Sequence, residues 1–359
     1  MIEMIKRRTW IIALLCFFIY FATMAFGADE QDTPAVVAFG SCAEDENPDH
    51  PIWESIAKAS PTDMIFMGDN VYVNARAVNR QGTYEAFNPD YERLASSKGF
   101  QELKKIARFH ATWDDNDFGA NDGGREYELK DLSQQKFLSF WGVDKSSKRF
   151  QTPGVYGSAW IESSGRRVQV ILTDSRYFRS PIKHAAPTQE CPFRNIVPTD
   201  DPDATMLGED QWKWLVERLQ VEADLHLLVS GIQVIPDEHC FERWGTMPAE
   251  RSRLLTAVKN ASATTIVLSG DRHLAEVSML PKSDEDDVGY DLYEFTSSSL
   301  TASFGFGAGE PNSYRVSGDN VRVNNFGILE FDWEKSQVIG EIRDQNGVPL
   351  RTARVPLSN

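Results

Sequence analysis

Four short segments gather the residue types that bind metal ions. They are Gly40-Ser41-Cys42, Gly68-Asp69-Asn70-Val71-Tyr72, Trp113-Asp114-Asp115-Asn116-Asp117 and Gly270-Asp271-Arg272-His273. A thiolate, a phenolate, carboxylates and an imidazole in one crevice suit a metal centre for hydrolytic chemistry. Cys42 supplies a soft donor and Tyr72 a phenolate. That mixture favours a transition metal such as ferric iron over calcium or magnesium. Asp69 has two oxygens and can bridge two cations. Asp114, Asp115 and Asp117 crowd like charges, which is unfavourable without a cation or a basic partner. All-oxygen donors of this kind suit a harder second ion, such as calcium, magnesium or manganese. At an extended strand end Asp271 and His273 share one face, with Arg272 pointing away. Arg176 is suited to bind a phosphate oxygen bidentately, or else to pair with Asp174 or a neighbour. Read singly, each segment also has an ordinary structural explanation. Asp69 can cap a helix, Tyr72 can be core, Cys42 a small buried hydrophobe and the acidic run a solvated loop. His239 is a second candidate ligand; His50, His110, His184 and His226 read as structural or surface residues.

Each segment follows an apolar run with the look of a β-strand. Residues 35–39, 63–67, 107–112 and 264–268 end at or near Gly40, Gly68, Trp113 and Gly270. Ligands at the carboxyl ends of successive parallel strands converge on one crevice of an α/β sheet. The spacing predicts helices over 51–60, 91–106, 132–141, 207–223 and 249–259. Residues 154–161 and 168–172 flank Ser164-Gly165-Arg166, a hairpin signal, and 225–229 is a further strand. The tail, 292–295 and 327–355, alternates like antiparallel strands. Residues 178–206 hold Pro, Asp, His and Cys without periodicity, and so long a loop is usually functional or tied down. The whole reads as a mixed α/β sandwich. No linker cuts it in two.

The chain has 359 residues, 41% hydrophobic and 25% charged, an ordinary globular composition. Its formal net charge of -16 argues against a nucleic-acid-binding surface or an anionic lipid surface as general partner. It leaves room for a phosphate substrate, because bound cations reverse the local charge of a site. Lys6-Arg7-Arg8, the apolar run 10–26 and the small residues around Gly27-Ala28 read as a signal peptide over 1–28. The alternative is an uncleaved membrane anchor. Arg7-Arg8 also resembles a twin-arginine signal, which makes the export machinery an expected partner and the location extracytoplasmic, periplasmic or secreted. The rest, 29–359, is expected to form one domain. Cys42, Cys191 and Cys240 remain after cleavage, an odd number for an oxidising compartment. Cys191 and Cys240 can pair and leave Cys42 free for metal; pairing of Cys42 with either is the alternative.

The four segments, in this order, resemble the alkaline phosphatase D (PhoD) family of metallophosphatases. Leu172-Thr173-Asp174-Ser175-Arg176, Leu207-Gly208-Glu209-Asp210-Gln211-Trp212, Ser230-Gly231-Ile232-Gln233, Phe241-Glu242-Arg243-Trp244-Gly245 and Thr296-Ser297-Ser298-Ser299-Leu300 add to the likeness. The resemblance implies a four-layer α/β/β/α calcineurin-like fold and phosphoester hydrolysis by a hydroxide activated between two metals. It implies Cys42, Asp69, Tyr72 and His273 as ligands of Fe3+. Asp69 would bridge to a second divalent metal, Ca2+ in characterised relatives, with Asp115, Asn121 and Asp271 as further ligands. Arg176 would neutralise phosphate charge. Members often carry histidine where this chain has Asn116; asparagine donates a hydrogen bond but is no general acid. The catalytic segments begin right after the signal, so the N-terminal β-domain of some relatives is expected to be missing. The implied substrate is a small-molecule, lipid or cell-wall phosphoester. Phospholipase D-like hydrolysis and a non-catalytic, calcium-stabilised surface binding protein are the other functions to weigh.

Overall fold

Alternation of apolar residues along the strands decides how the layers stack. The computed structural model describes residues 34–44, 50–304 and 310–357; the expected export segment lies outside them. In chain order the elements are β1 (Val36–Gly40), α1 (Ile52–Lys58), β2 (Asp63–Met67), α2 (Ala75–Gln81), α3 (Asn88–Ser96), α4 (Lys98–Ile106), β3 (Arg108–Thr112), α5 (Asp115–Phe118) and α6 (Lys130–Phe140). Then come β4 (Gly157–Ser163), β5 (Arg166–Leu172), the short β6 (Lys183–His184) and β7 (Ile196–Val197), α7 (Gly208–Leu219), β8 (Leu225–Ser230) and α8 (Pro248–Lys259). The chain ends with β9 (Thr265–Ser269), β10 (Ala275–Leu280), β11 (Leu292–Ser297), β12 (Asn325–Asp332), β13 (Gln337–Asp344) and β14 (Pro349–Pro356).

Two six-stranded mixed sheets result, ordered β14-β13-β12-β1-β2-β3 and β10-β11-β9-β8-β5-β4. In the first, β1, β2 and β3 are parallel neighbours, and an antiparallel meander of β12 to β14 completes it. In the second, β5, β8, β9 and β11 are parallel neighbours. The carboxyl ends of each parallel set therefore face one edge of its sheet.

Side chains alternate between faces with period two. Ala38, Met64 and Phe66 pack with Ile52, Trp53 and Ile56 of α1 and with Phe100 and Leu103 of α4. Val37, Phe39, Ile65 and Met67 point the other way, into a core shared with Val170, Leu227, Leu268 and Phe295 of the second sheet. Ile171, Leu228 and Val267 face Trp212 and Leu215 of α7 and Leu254 and Val258 of α8.

The expected single helix over 91–106 is two helices. Ser97 breaks it at φ -62, ψ 120, and its hydroxyl caps α4 by accepting the Phe100 N–H at 3.3 Å. Serine competes for backbone hydrogen bonds in this way, so it favours caps over helix interiors. Helices α2 and α5 and strand β10 were not anticipated. The two helices are too short to show a period, and β10 follows directly on the Asp271–His273 turn. Among the described residues no helix is long and apolar enough to cross a membrane.

Candidate metal centre

Each of the four chemistry-bearing segments lies just past the carboxyl end of a strand. Cys42 follows β1, Asp69 follows β2, Asp114 and Asp115 follow β3, and Asp271 and His273 follow β9. The first three come from one sheet and the last from the other. A backbone bond spans the join, the Ser41 N–H donating to Ser297 C=O at 3.0 Å, and within the first sheet the Ala43 N–H donates to Asp69 C=O at 2.9 Å.

The turns at these ends are tight. Cys42, Asp69, Asp271 and His273 have φ of 58, 52, 70 and 52°, in the left-handed region. Such a conformation costs a non-glycine residue on the order of 1–3 kcal/mol and collects at functional sites. It also corrects the expected geometry of the last segment. Asp271 and His273 are not on an extended strand end, and Arg272 between them does not point away; it lines the same pocket. Gly68, at φ 104°, allows the approach of two strand ends: a Cβ there would lie 2.5 Å from the Asp114 Cβ.

Two donor groups form, sharing Asp69. In the first, Cys42, Asp69 and His273 have ligand atoms within 4.8 Å of one another. The Cys42 Sγ lies 3.6 Å from Asp69 Oδ2, and the Tyr72 hydroxyl 3.3 Å from both Asp69 Oδ2 and His273 Nε2. Donors held ~2.0–2.3 Å from one tetrahedral centre lie roughly 3.3–3.8 Å apart, so these separations fit a common ion. His273 Nδ1 meets the Ala302 carbonyl at 2.6 Å, leaving Nε2 toward the site. In the second group, Asp69, Asp114, Asp115 and Asp271 are equally close. Burial is the largest influence raising the carboxyls of Asp69, Asp114 and Asp271 well above the usual range, and neighbouring carboxylates add to it. Asp114 Oδ2 is buried without a hydrogen-bond partner. Burial and the Asp69 charge push up the Cys42 thiol; burial and Cys42 push up the Tyr72 phenol. An anionic cluster this crowded fits bound cations, which reverse all these shifts.

The remaining expected residues fall in distinct places. Asn116 donates from Nδ2 to Asp69 Oδ2 at 3.0 Å and to Asp115 Oδ1 at 2.9 Å, and from its backbone to Asp69 Oδ1 at 3.1 Å. Asn121 is in the pocket wall. Asp117 is no donor to either group: it accepts the N–H groups of Asn70, Val71 and Asp114. Arg176 is fully buried; it contacts Asp174 only through its backbone N–H, while its guanidinium pairs with Asp114 and Glu242 at 2.6 and 2.5 Å. A phosphate would have to displace those carboxylates to reach it. His239 is buried, kept neutral by burial and by Arg272 and Arg243, and accepts the Phe241 N–H at 3.2 Å. Cys191 is bonded to Cys240, and Cys42 is the free cysteine among the described residues.

Over the donors opens a pocket of about 220 Å³, its wall including Asp69, Asp115, Asn116, Asp271 and His273. Asp122, Arg194, Phe241, Arg272, Phe304 and Glu310 complete the wall, and sequence reasoning gave none of them a role. Ser298, 3.1 Å from the Cys42 Sγ, was likewise missed. Phe241 and Ser298 do lie in segments that carry the family resemblance. Arg194 lies in the loop without periodicity, where only the loop's length hinted at function.

A family model described as PhoD-like phosphatase matches residues 37–341. A solved structure of PhoD is similar over 90% of this chain and 69% of its own, at 16% identity and a TM-score of 0.68. That likeness concerns the fold: a mixed α/β protein with two large mixed sheets and helices. A conserved protein of Streptococcus pneumoniae, described as a predicted phosphoesterase, aligns over 90% of this chain and 97% of its own at 7% identity; its TM-score of 0.31 carries no argument. No curated protein matches the sequence.

Proposed function

The chain belongs to the PhoD-like phosphatase family, and from that premise we propose that it is an extracytoplasmic, metal-dependent phosphoester hydrolase with a two-metal site. The observation that carries the reading is the pair of abutting donor groups sharing Asp69 at the floor of one pocket. Cys42, Asp69, Tyr72 and His273 would hold ferric iron. Asp69, Asp115 and Asp271 would hold a second divalent ion such as calcium, with Asn121 near it. When bound, such a pair supplies Lewis-acid activation of water and neutralises phosphoryl charge. The finer architecture expected, a four-layer calcineurin-like sandwich, agrees with the three apolar cores.

The protein's own groups do the positioning. Asn116 locks Asp69 and Asp115 in one orientation through three donated hydrogen bonds. The His273 contact with Ala302 fixes its ring. Hydrolysis adds water oxygen to phosphorus and breaks the ester P–O bond, so the departing oxygen either takes up a proton as it leaves or leaves as an anion. Asn116 has none to give, which favours esters whose leaving group departs as a stable anion. The disulfide supports an oxidising compartment.

The deciding experiment is elemental analysis and a visible spectrum of the protein exported by its own signal, followed by p-nitrophenyl phosphate, bis(p-nitrophenyl) phosphate and phosphatidylcholine as substrates. About one iron per chain, a tyrosinate-to-iron absorption band and hydrolysis of the aryl esters are expected. Choline release would favour the phospholipase D-like reading. Calcium alone, with no hydrolysis, would leave the binding-protein reading.

A further inference from the structure

Four arginines cluster around the carboxylates of this site, and three are largely buried and paired with carboxylates of the protein itself. Arg176 and Arg179 are 0% exposed and both pair with Glu242. Arg272 holds both oxygens of Glu310, at 2.8 and 2.7 Å, and lies 4.0 Å over the Phe241 ring. Arg194 differs. Its side chain is 37% exposed at the pocket wall, and among the described residues its one ion pair, with Asp122, uses a single guanidinium nitrogen. A planar fork with further donors open to the pocket matches the geometry of a phosphate.

What puts it there is unusual. The arm 178–206 has a ladder of only two residue pairs, Lys183 with Val197 and His184 with Ile196. Phe193, beside Arg194, is 85% exposed, so the arm has little core of its own here. The segment 191–196 is instead a short bow pinned at both ends to one residue. Cys191 is bonded to Cys240, and the Ile196 N–H donates to the Cys240 carbonyl at 3.0 Å. Arg194 sits within that bow, and Cys240 adjoins the pocket residue Phe241. The Asp122 that Arg194 grips donates its own N–H to Asp115 Oδ2 at 2.7 Å.

We propose that Arg194 is the side chain that contacts the substrate phosphate, and that the Cys191–Cys240 disulfide is the positioning device holding it over the pocket. The proposal rests on the phosphoesterase reading. It gives to an arginine outside the motif segments the contact that the sequence assigned to Arg176. The cystine acts through Arg194 and touches no substrate.

The test uses metal-loaded protein, with inorganic phosphate binding measured by calorimetry and kcat and KM measured on bis(p-nitrophenyl) phosphate. Arg194→Ala should weaken phosphate binding and raise KM roughly tenfold or more, the size of a charge-assisted hydrogen bond, with metal content unchanged. Arg194→Lys should recover only part. Reduction of the folded protein with a phosphine, or Cys191→Ser with Cys240→Ser, should raise KM in the wild type and add nothing in the Arg194→Ala background. Additive effects would show that the cystine does not act through Arg194. If the serine variant does not fold, the reduced protein and Arg194→Ala still decide. Hydrolysis with Arg194→Ala behaving as wild type overturns this proposal alone. A wild type that neither binds phosphate nor cleaves the ester overturns the phosphoesterase reading and this proposal with it.

Discussion

Cys42 is buried among groups that oppose its ionisation: the protein interior, and then the Asp69 carboxylate. Ser298 Oγ lies 3.1 Å from its Sγ. A neutral thiol would be content there, but a thiolate needs a cation. Cys42→Ser tests which is present. The variant is nearly isosteric, so the fold should survive, but a hydroxyl is a hard and weakly acidic donor. Elemental analysis should find most of the iron lost and the second metal largely kept; unchanged iron would count against thiolate ligation. Asp69 was recognisable from its place after a strand and a glycine. That Asn116 would clamp both Asp69 and Asp115 was not, because its backbone and side chain reach Asp69 across a sequence gap of 47 residues.

The elements carry the site by holding two sheets in a fixed relation, and the fit between them is close. Phe39 of β1 and Phe295 of β11 meet edge to face, with centroids 6.3 Å apart. A Cβ at Gly327 of β12 would lie 1.9 Å from the Phe39 ring. Gly327→Ala should therefore destabilise by about 1–3 kcal/mol, as overpacking in a full core does. Urea unfolding would measure it, and a neutral result would mean that the Phe39 ring can move off its cross-strand partner Gly327 without loss of packing. On β8, His226 is buried and its pKa is lowered to about 4 by that burial. The folded state then binds fewer protons than the unfolded state between about pH 4 and pH 6.5. The stability is complete above about 6.5 and lost as pH falls toward 4. His226→Gln should remove that dependence, sparing about 2–3 kcal/mol of the loss between pH 7 and pH 4.5. Equal acid sensitivity in wild type and variant would refute a neutral buried His226. The strands and most helices were legible because apolar residues recur at fixed periods. The break at Ser97 was not, since a cap and an interior serine look alike in sequence.

At the scale of the whole molecule, a net charge of -16 and a cluster of four carboxylates at the site ask for cations. Ions that bind only the folded state add stability by mass action, ~2.7 kcal/mol at a hundred times Kd. Exhaustive chelation should lower Tm by a few degrees or more, reversed by adding the metals back, as scanning calorimetry would read. A Tm indifferent to chelator, in protein shown to have lost its metal, would detach the centre from folding.

The succession of strands along the chain, the glycines that end them and the candidacy of Cys42, Asp69, Tyr72, Asp271 and His273 were legible in the sequence itself, while Asp115 was singled out from its acidic neighbours by the family resemblance. Each of the former lies within a few residues of a periodic apolar run, so local spacing finds it. Tertiary structure alone decided which arginine faces the pocket. The period-two rule that sent Arg272 outward fails once Asp271 and His273 take left-handed φ. Arg176 turns inward to Asp114 and Glu242, residues 62 and 66 positions away. Arg194 arrives on a loop without periodicity, its path set by a covalent bond to Cys240. Side-chain direction past a strand end depends on turns and cross-links that local pattern does not encode.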